Sequence, residues 1–156
     1  MDIQALFKIQ CGLYVAAVST PEKMNGCITN TLMQQSHAPV KLSVTVMKKN
    51  LTHDMILQKG SVALSALSGN NPVALVKRFG FSSGREMDKF NGFKDYQLDR
   101  SGNPLLDGDE IAATFSLKVY DTVDLGTHTL FLCDGVDAVS KATSPLTYWD
   151  YRASFK

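Results

Sequence analysis

The clearest period along the chain is two. Ile111, Ala113, Phe115, Leu117 and Val119 alternate with Ala112, Thr114, Ser116 and Lys118, which predicts a strand with one face in a core. Asp121 to Gly126 then reads as a turn, and Thr127 to Cys133 as the returning partner of a hairpin. Leu42, Val44 and Val46 alternate with Ser43, Thr45 and Met47 and give a half-buried strand. Cys11 to Ser19 is continuously apolar and reads as a buried strand, followed by a turn at Pro21 to Asn25. Cys27 to Leu32, Ser61 to Leu67 and the short Tyr96 to Leu98 complete the set, with Asp99 to Asp109 a turn-rich connection.

Helical signals are few and short. Asp2 is placed to cap a helix to Ile9 that shares Ala5, Leu6 and Ile9 on one face. Asn50 opens a second helix, with Lys59 in its last turn and Gly60 just past it. Asn71-Pro72 predicts a third, capped by Asn with Pro at the first helical position and closed by Lys77, Arg78 and Gly80. Gly80 to Gly92 is a polar, glycine-rich loop, and Pro145 to Lys156 an aromatic tail. About seven strands joined mostly by turns, with two or three short helices, predict a mainly β (α+β) antiparallel barrel. Residues 1–156 read as a single domain.

Composition narrows the functional classes. Lys plus Arg is 16 and Asp plus Glu 15, a net charge of +1, which argues against a polybasic binder of nucleic acid or membrane. The longest apolar stretch is too short to span a bilayer. Cys11, Cys27 and Cys133 stand alone at wide spacing, so neither a disulfide framework nor a metal site is expected, and a reducing cytoplasm is the expected compartment.

Four segments carry candidate chemistry. Lys48-Lys49-Asn50-Leu51-Thr52 sets two cations before a helix N-terminus, either an anion site or an ordinary cap beside two solvated lysines. Asn25-Gly26-Cys27-Ile28-Thr29-Asn30-Thr31, then Gln34, Gln35 and Ser36, offers short donors and a glycine that permits close approach to a strand, or a polar edge strand. Gly80-Phe81-Ser82-Ser83-Gly84-Arg85 matches G-x-S-x-G but follows a helix rather than a strand, which speaks against a serine hydrolase; Arg85 is better suited to an anion. Asp99 to Glu110 has calcium-loop spacing but carries Pro104 where a glycine turn is required. His128 shares a strand face with Leu130 and Leu132, as a core residue or as a group exposed at a cleft.

Taken in order, Asn25-Gly26-x-x-x-Asn30-Thr31, Gln34, Pro39, Lys48-x-Asn50-x-Thr52, Gly60, Phe79-Gly80-Phe81-x-Ser83-Gly84-Arg85, Asp88-Lys89-Phe90, Gly126-x-His128-Thr129 and Pro145-Leu146-Thr147-Tyr148 resemble the flavin reductase-like, FMN-binding split-barrel family. They are most similar to its flavoredoxin and rubredoxin-associated branch. His37 and Thr29 depart from that pattern, where relatives commonly carry a serine or threonine and a small residue. The resemblance implies a homodimeric split barrel with FMN near the subunit contact. It implies that Gly26 to Thr31 and Gln34 to Ser36 follow the ring and ribityl chain, that Lys48, Asn50 and Thr52 hold the phosphate with Ser83 to Arg85 as a further candidate, and that Asn25 also belongs to the cofactor site. His128 would face an approaching nicotinamide. The implied activity passes electrons from NADH or NADPH through FMN to free flavin or a redox partner. The alternatives are an FMN electron carrier serving a protein such as rubredoxin or ferredoxin, and a split barrel that binds another ligand or serves structurally.

Overall fold

The computed structural model describes residues 1–155; Lys156, the end of the expected aromatic tail, lies outside them. A 3₁₀ helix, Ile3–Lys8, comes first, with Asp2 accepting from the Gln4 N–H as its cap. Nine strands follow: β1 Tyr14–Ser19, β2 Met24–Thr29, β3 Met33–His37, β4 Val40–Met47, β5 Ser61–Leu67, β6 Tyr96–Leu98, β7 Pro104–Leu106, β8 Ile111–Asp124 and β9 His128–Ser140. Three helices interrupt them: α1 Leu51–Lys59, α2 Val73–Gly80 and α3 Tyr148–Phe155.

Seven strands form one antiparallel sheet in the order β2-β1-β5-β8-β9-β4-β3, while β6 and β7 form a separate ribbon. The sheet curls until β2 meets β4, and that seam is not a ladder. Thr29 and Thr31 hydroxyls both donate to the Thr45 carbonyl at 3.0 Å, and the Thr45 N–H returns a bond to Thr31 Oγ1. The barrel is therefore split, with side chains closing the gap that backbone pairing leaves.

Apolar packing lies on both sides of β1, which explains its unbroken hydrophobic run. Ala16 and Val18 face the barrel interior with Val44, Val46, Leu64 and Phe131, while α1 seals that interior with Met55 and Ile56. Val15 and Ala17 face outward onto α2 and α3, through Val76, Phe79 and Tyr151. Gly60 takes the left-handed conformation (φ +73°) that ends α1, as its position predicts.

Several boundaries differ from expectation. The second strand starts at Met24 rather than Cys27, because Asn25 and Gly26 pair with Val18 and Ala17 instead of turning. β3 is polar and mostly exposed, so it lacks an apolar period, and β7 sits inside the turn-rich stretch where Leu106 finds a core. The hairpin strands extend to Asp124 and Ser140, because each pairs with the other beyond the reach of the core. Asn71 adopts φ +50° and Pro72, not Asn71, is the cap of α2. The aromatic tail is a helix, α3, held by Tyr151 against the outer core.

Candidate functional site

A cleft opens where β2, the first turn of α1 and the loop after α2 converge. It consists of two adjoining cavities of about 230 and 250 Å³ that share Cys27, Asn50, Gly80, Phe81, Ser82 and Lys89. The smaller is polar, with Asn25, Thr52, Ser83 and Gly84 in its wall. The larger is aromatic, with Phe79, Tyr148 and Tyr151.

Each wall has a local cause. Asn50 precedes α1 in extended conformation and makes no side-chain cap bond, so its amide is left for the cavity. Leu51 and Thr52 follow, with first-turn N–H groups that have no acceptor inside the helix. Asn25 is 1% exposed; its Nδ2 donates to Thr52 Oγ1 at 2.9 Å, and its Oδ1 has no partner among the described residues. Gly84 packs so tightly on this amide that a Cβ there would fall 2.3 Å from Asn25 Oδ1. Lys23 Nζ donates to the Gly84 carbonyl at 2.9 Å and fixes the loop from outside.

Lys89 is the residue that sequence reasoning did not single out for the site. It is 3% exposed, with Nζ donating to the carbonyls of Gly26 at 2.9 Å and Phe79 at 2.8 Å. Phe79 packs on Phe90 and Phe93 with ring centroids 5.4 and 5.6 Å apart, and this cluster folds the loop so that Lys89 points inward. Burial pushes its ammonium below the usual lysine range. Burial also pushes the neighbouring Cys27 thiol up. No local pattern marks it for the site; it enters the sequence reading only within the Asp88-Lys89-Phe90 element of the resemblance.

The other expected residues are distributed as follows. Asn25, Asn50, Thr52, Ser83 and Gly84 come together in the polar cavity. Gly26 admits Phe79 rather than a ligand: a Cβ there would lie 3.1 Å from the Phe79 ring. Thr29 and Thr31 close the barrel seam. Asn30 lines a different cavity, against the N-terminal 3₁₀ helix and α3. Gln34 faces an apolar groove, Gln35 donates to Ser43 Oγ at 2.7 Å, and Ser36 bonds the Pro39 carbonyl. Lys48 is paired with Asp124 at the end of β8 at 2.7 Å and Arg85 with Asp54 of α1 at 2.6 Å. His128 is half-buried on the outward face of β9 with Leu130 and Leu132, its Nδ1 2.8 Å from Thr127 Oγ1; the core face carries Thr129, Phe131 and Cys133.

The chain matches the flavin reductase like domain over residues 8–154 and belongs to that family. It is 37% identical to a ferric-chelate reductase (NAD(P)H) of Archaeoglobus fulgidus, covering 97% of this chain and 89% of the relative. It is 38% identical to a high molecular weight rubredoxin of Moorella thermoacetica, over 97% of this chain but only 66% of that protein. Among solved structures, an FMN-binding protein from Thermus thermophilus superposes with a TM-score of 0.80 at 24% identity, covering 91% of this chain and 83% of that one, and so shares the fold. Family membership makes the chain a flavin-linked oxidoreductase. No helix among the described residues is long and apolar enough to cross a membrane.

Proposed function

We propose that the chain binds FMN in this cleft and passes electrons from NADH or NADPH to free flavin, a metal chelate or a redox protein. The observation that carries the reading is the buried Asn25 Oδ1 at the mouth of α1, which has no hydrogen-bond partner among the described residues. The Thr52 hydroxyl donates as readily as it accepts, so turning the amide over keeps that bond and presents Nδ2 to the cavity. A phosphate at this point meets Asn25, Asn50, the Thr52 and Ser83 hydroxyls and the N–H groups of the first helical turn. The residues present therefore fit a phosphorylated flavin. Lys48 and Arg85 add positive potential at the rim, screened by their carboxylates.

Bound FMN would supply hydride acceptance and onward electron release. This chain's residues orient and enclose it. Phe79, Tyr148 and Tyr151 provide an aromatic wall beside the polar cavity. Relatives named for NAD(P)H and rubredoxin motivate the donor and a small redox partner such as rubredoxin or ferredoxin. Asn30, Thr31, Gln34, Gln35 and Ser36 do not line this cleft, and the proposal assigns their flavin contacts to the cofactor of a second subunit. A homodimer is part of the proposal for that reason. His128 likewise meets a nicotinamide only across such a contact.

Titration of flavin-free protein with FMN, FAD and riboflavin tests the reading. FMN is expected to bind most tightly; tighter binding of riboflavin would remove the phosphate from the account. A second reading, an electron carrier that uses nicotinamide poorly, is favoured by the rubredoxin relative, in which the matched region is about two thirds of the length.

A further inference from the structure

We propose that the space between the N-terminal 3₁₀ helix and α3 is a subsite for the adenosine end of a nicotinamide dinucleotide, where Arg152 and Lys8 meet the 2′-phosphate that distinguishes NADPH from NADH. The inference rests on the flavin reading above and names the donor that this reading leaves open.

Two adjoining cavities of about 190 and 300 Å³ lie there and share Phe7, Ile9 and Trp149. The smaller borders the cofactor cleft, since Tyr148 lines both. Arg152 lines the smaller cavity and Lys8 the larger. Each cation is held over an aromatic ring, Arg152 at 4.1 Å from the Phe7 centroid and Lys8 at 5.1 Å from that of Trp149. Such a contact orients the cation but gives its N–H donors no lone pair. Neither cation has an ion-pair partner among the described residues. The one carboxylate among the lining residues, Asp150, accepts instead from the Thr147 hydroxyl at 2.6 Å at the start of α3. The Trp149 ring is 51% exposed and presents a surface on which a base can stack. A phosphate monoester carries about two negative charges at neutral pH and so suits two cations that no carboxylate neutralises. An aromatic platform beside paired cations is the chemistry of a phosphorylated nucleoside, and its place next to Tyr148 leaves the rest of the dinucleotide to extend toward the cleft.

Trp149 is the single tryptophan of the chain, so its emission reads this subsite directly. The experiment titrates flavin-free protein with NADP⁺, NAD⁺, 2′-AMP and adenosine. Saturable quenching is expected from NADP⁺ and 2′-AMP, about tenfold or more tighter than from NAD⁺ and adenosine, the scale of one charge-assisted bond. In Arg152→Gln, with thermal unfolding as the check on the fold, NADP⁺ should weaken about tenfold or more and NAD⁺ less than about threefold. Should that variant fail to fold, Lys8→Gln decides, because its side chain is exposed; NADP⁺ should weaken at least about threefold with NAD⁺ unchanged. Absence of quenching by NADP⁺, equal affinity for NADP⁺ and NAD⁺, unchanged NADP⁺ affinity in a folded variant, or displacement of NADP⁺ by inorganic phosphate as readily as by 2′-AMP overturns the proposal. The two readings fail separately. NADPH that bleaches bound FMN in a protein whose Trp149 ignores NADP⁺ brings down the subsite and leaves the flavin reading. NADP⁺ that quenches Trp149 in a protein that binds no FMN brings down the flavin reading and leaves the subsite.

Discussion

The Asn25 amide and the Thr52 hydroxyl share a buried hydrogen bond of 2.9 Å that joins β2 to the first turn of α1. The bond sets the width of the polar cavity, because strand and helix carry opposite walls of it. Thr52 is fully buried, so neither partner is replaced by water when the other is lost. Asn25→Ala is therefore expected to cost about 1–3 kcal/mol of stability, the penalty for an orphaned buried hydroxyl plus a lost bond, and to weaken FMN as well. Chemical denaturation and flavin titration measure the two effects; full stability with full affinity would show that the pair is incidental.

Gly84 lies against the same amide. Its substitution by alanine puts a methyl group 2.3 Å from Asn25 Oδ1, so the loop must move away from the cavity. Gly84→Ala should lower FMN affinity about tenfold or more while leaving the barrel folded, since Gly84 itself belongs to neither core. The double variant with Asn25→Ser, which makes room for the methyl group, should recover part of that loss. An unaffected affinity in Gly84→Ala would place the phosphate elsewhere.

Hydrogen bonds from His53 and Arg85 hold the Asp54 carboxyl below the usual carboxylate range. A group whose pKa is lower folded than unfolded adds stability above its unfolded value, about 4, and loses it as pH falls through the folded value. The wild type should thus lose stability with acid below about pH 4 more steeply than Asp54→Asn, which has no such group. Both side chains of the Arg85 pair are about half-exposed, so the effect is small and weakened by salt. Identical acid limbs for the two proteins would contradict this assignment.

Exposed Val40 and Val136 border an apolar groove of about 510 Å³ that also includes Tyr14, Phe115 and Gln34. A second copy covering this face would bury it and bring β3 to a subunit contact. Val136→Lys, at a position where a long side chain reaches solvent in the single chain, should give a folded monomer. Sedimentation equilibrium reads the mass; an unchanged dimer would move the contact to another face, and a monomeric wild type would end the dimer proposal.

His128 faces away from the cleft of its own chain, with its ring nitrogen against Thr127. If it orients nicotinamide across a subunit contact, His128→Ala should slow flavin reduction by NADH or NADPH about tenfold or more with FMN affinity unchanged. Unchanged reduction would leave His128 a hairpin residue with no part in the reaction.

Legibility in the sequence followed burial. Alternation located β4 and the core part of β8, where one face is packed and the other wet. It failed for β3, whose Met33, Gln34 and Gln35 are exposed at the sheet edge, and for the outer half of the β8–β9 hairpin, where backbone pairing continues without a core. Asn25 and Gly26 resemble a turn in composition, yet pairing with Val18 and Ala17 keeps them in a strand. Asn50, Thr52, Ser83 and Gly84 were readable because helix starts and glycine loops have local signatures. Lys89 was not, because only the tertiary packing of Phe79, Phe90 and Phe93 turns a lysine inward, and no local pattern records that. His128 was placed on the correct strand face, but that face points outward, since the inward positions are the less hydrophobic Thr129 and Cys133 flanking Phe131.

The most direct test is the anaerobic visible spectrum of FMN-loaded protein before and after addition of NADH, then NADPH. The account predicts bleaching of the flavin band by one or both nucleotides within seconds. A protein-bound flavin that stays oxidised with both, yet bleaches with dithionite, would contradict nicotinamide-linked reduction and leave an electron carrier in its place.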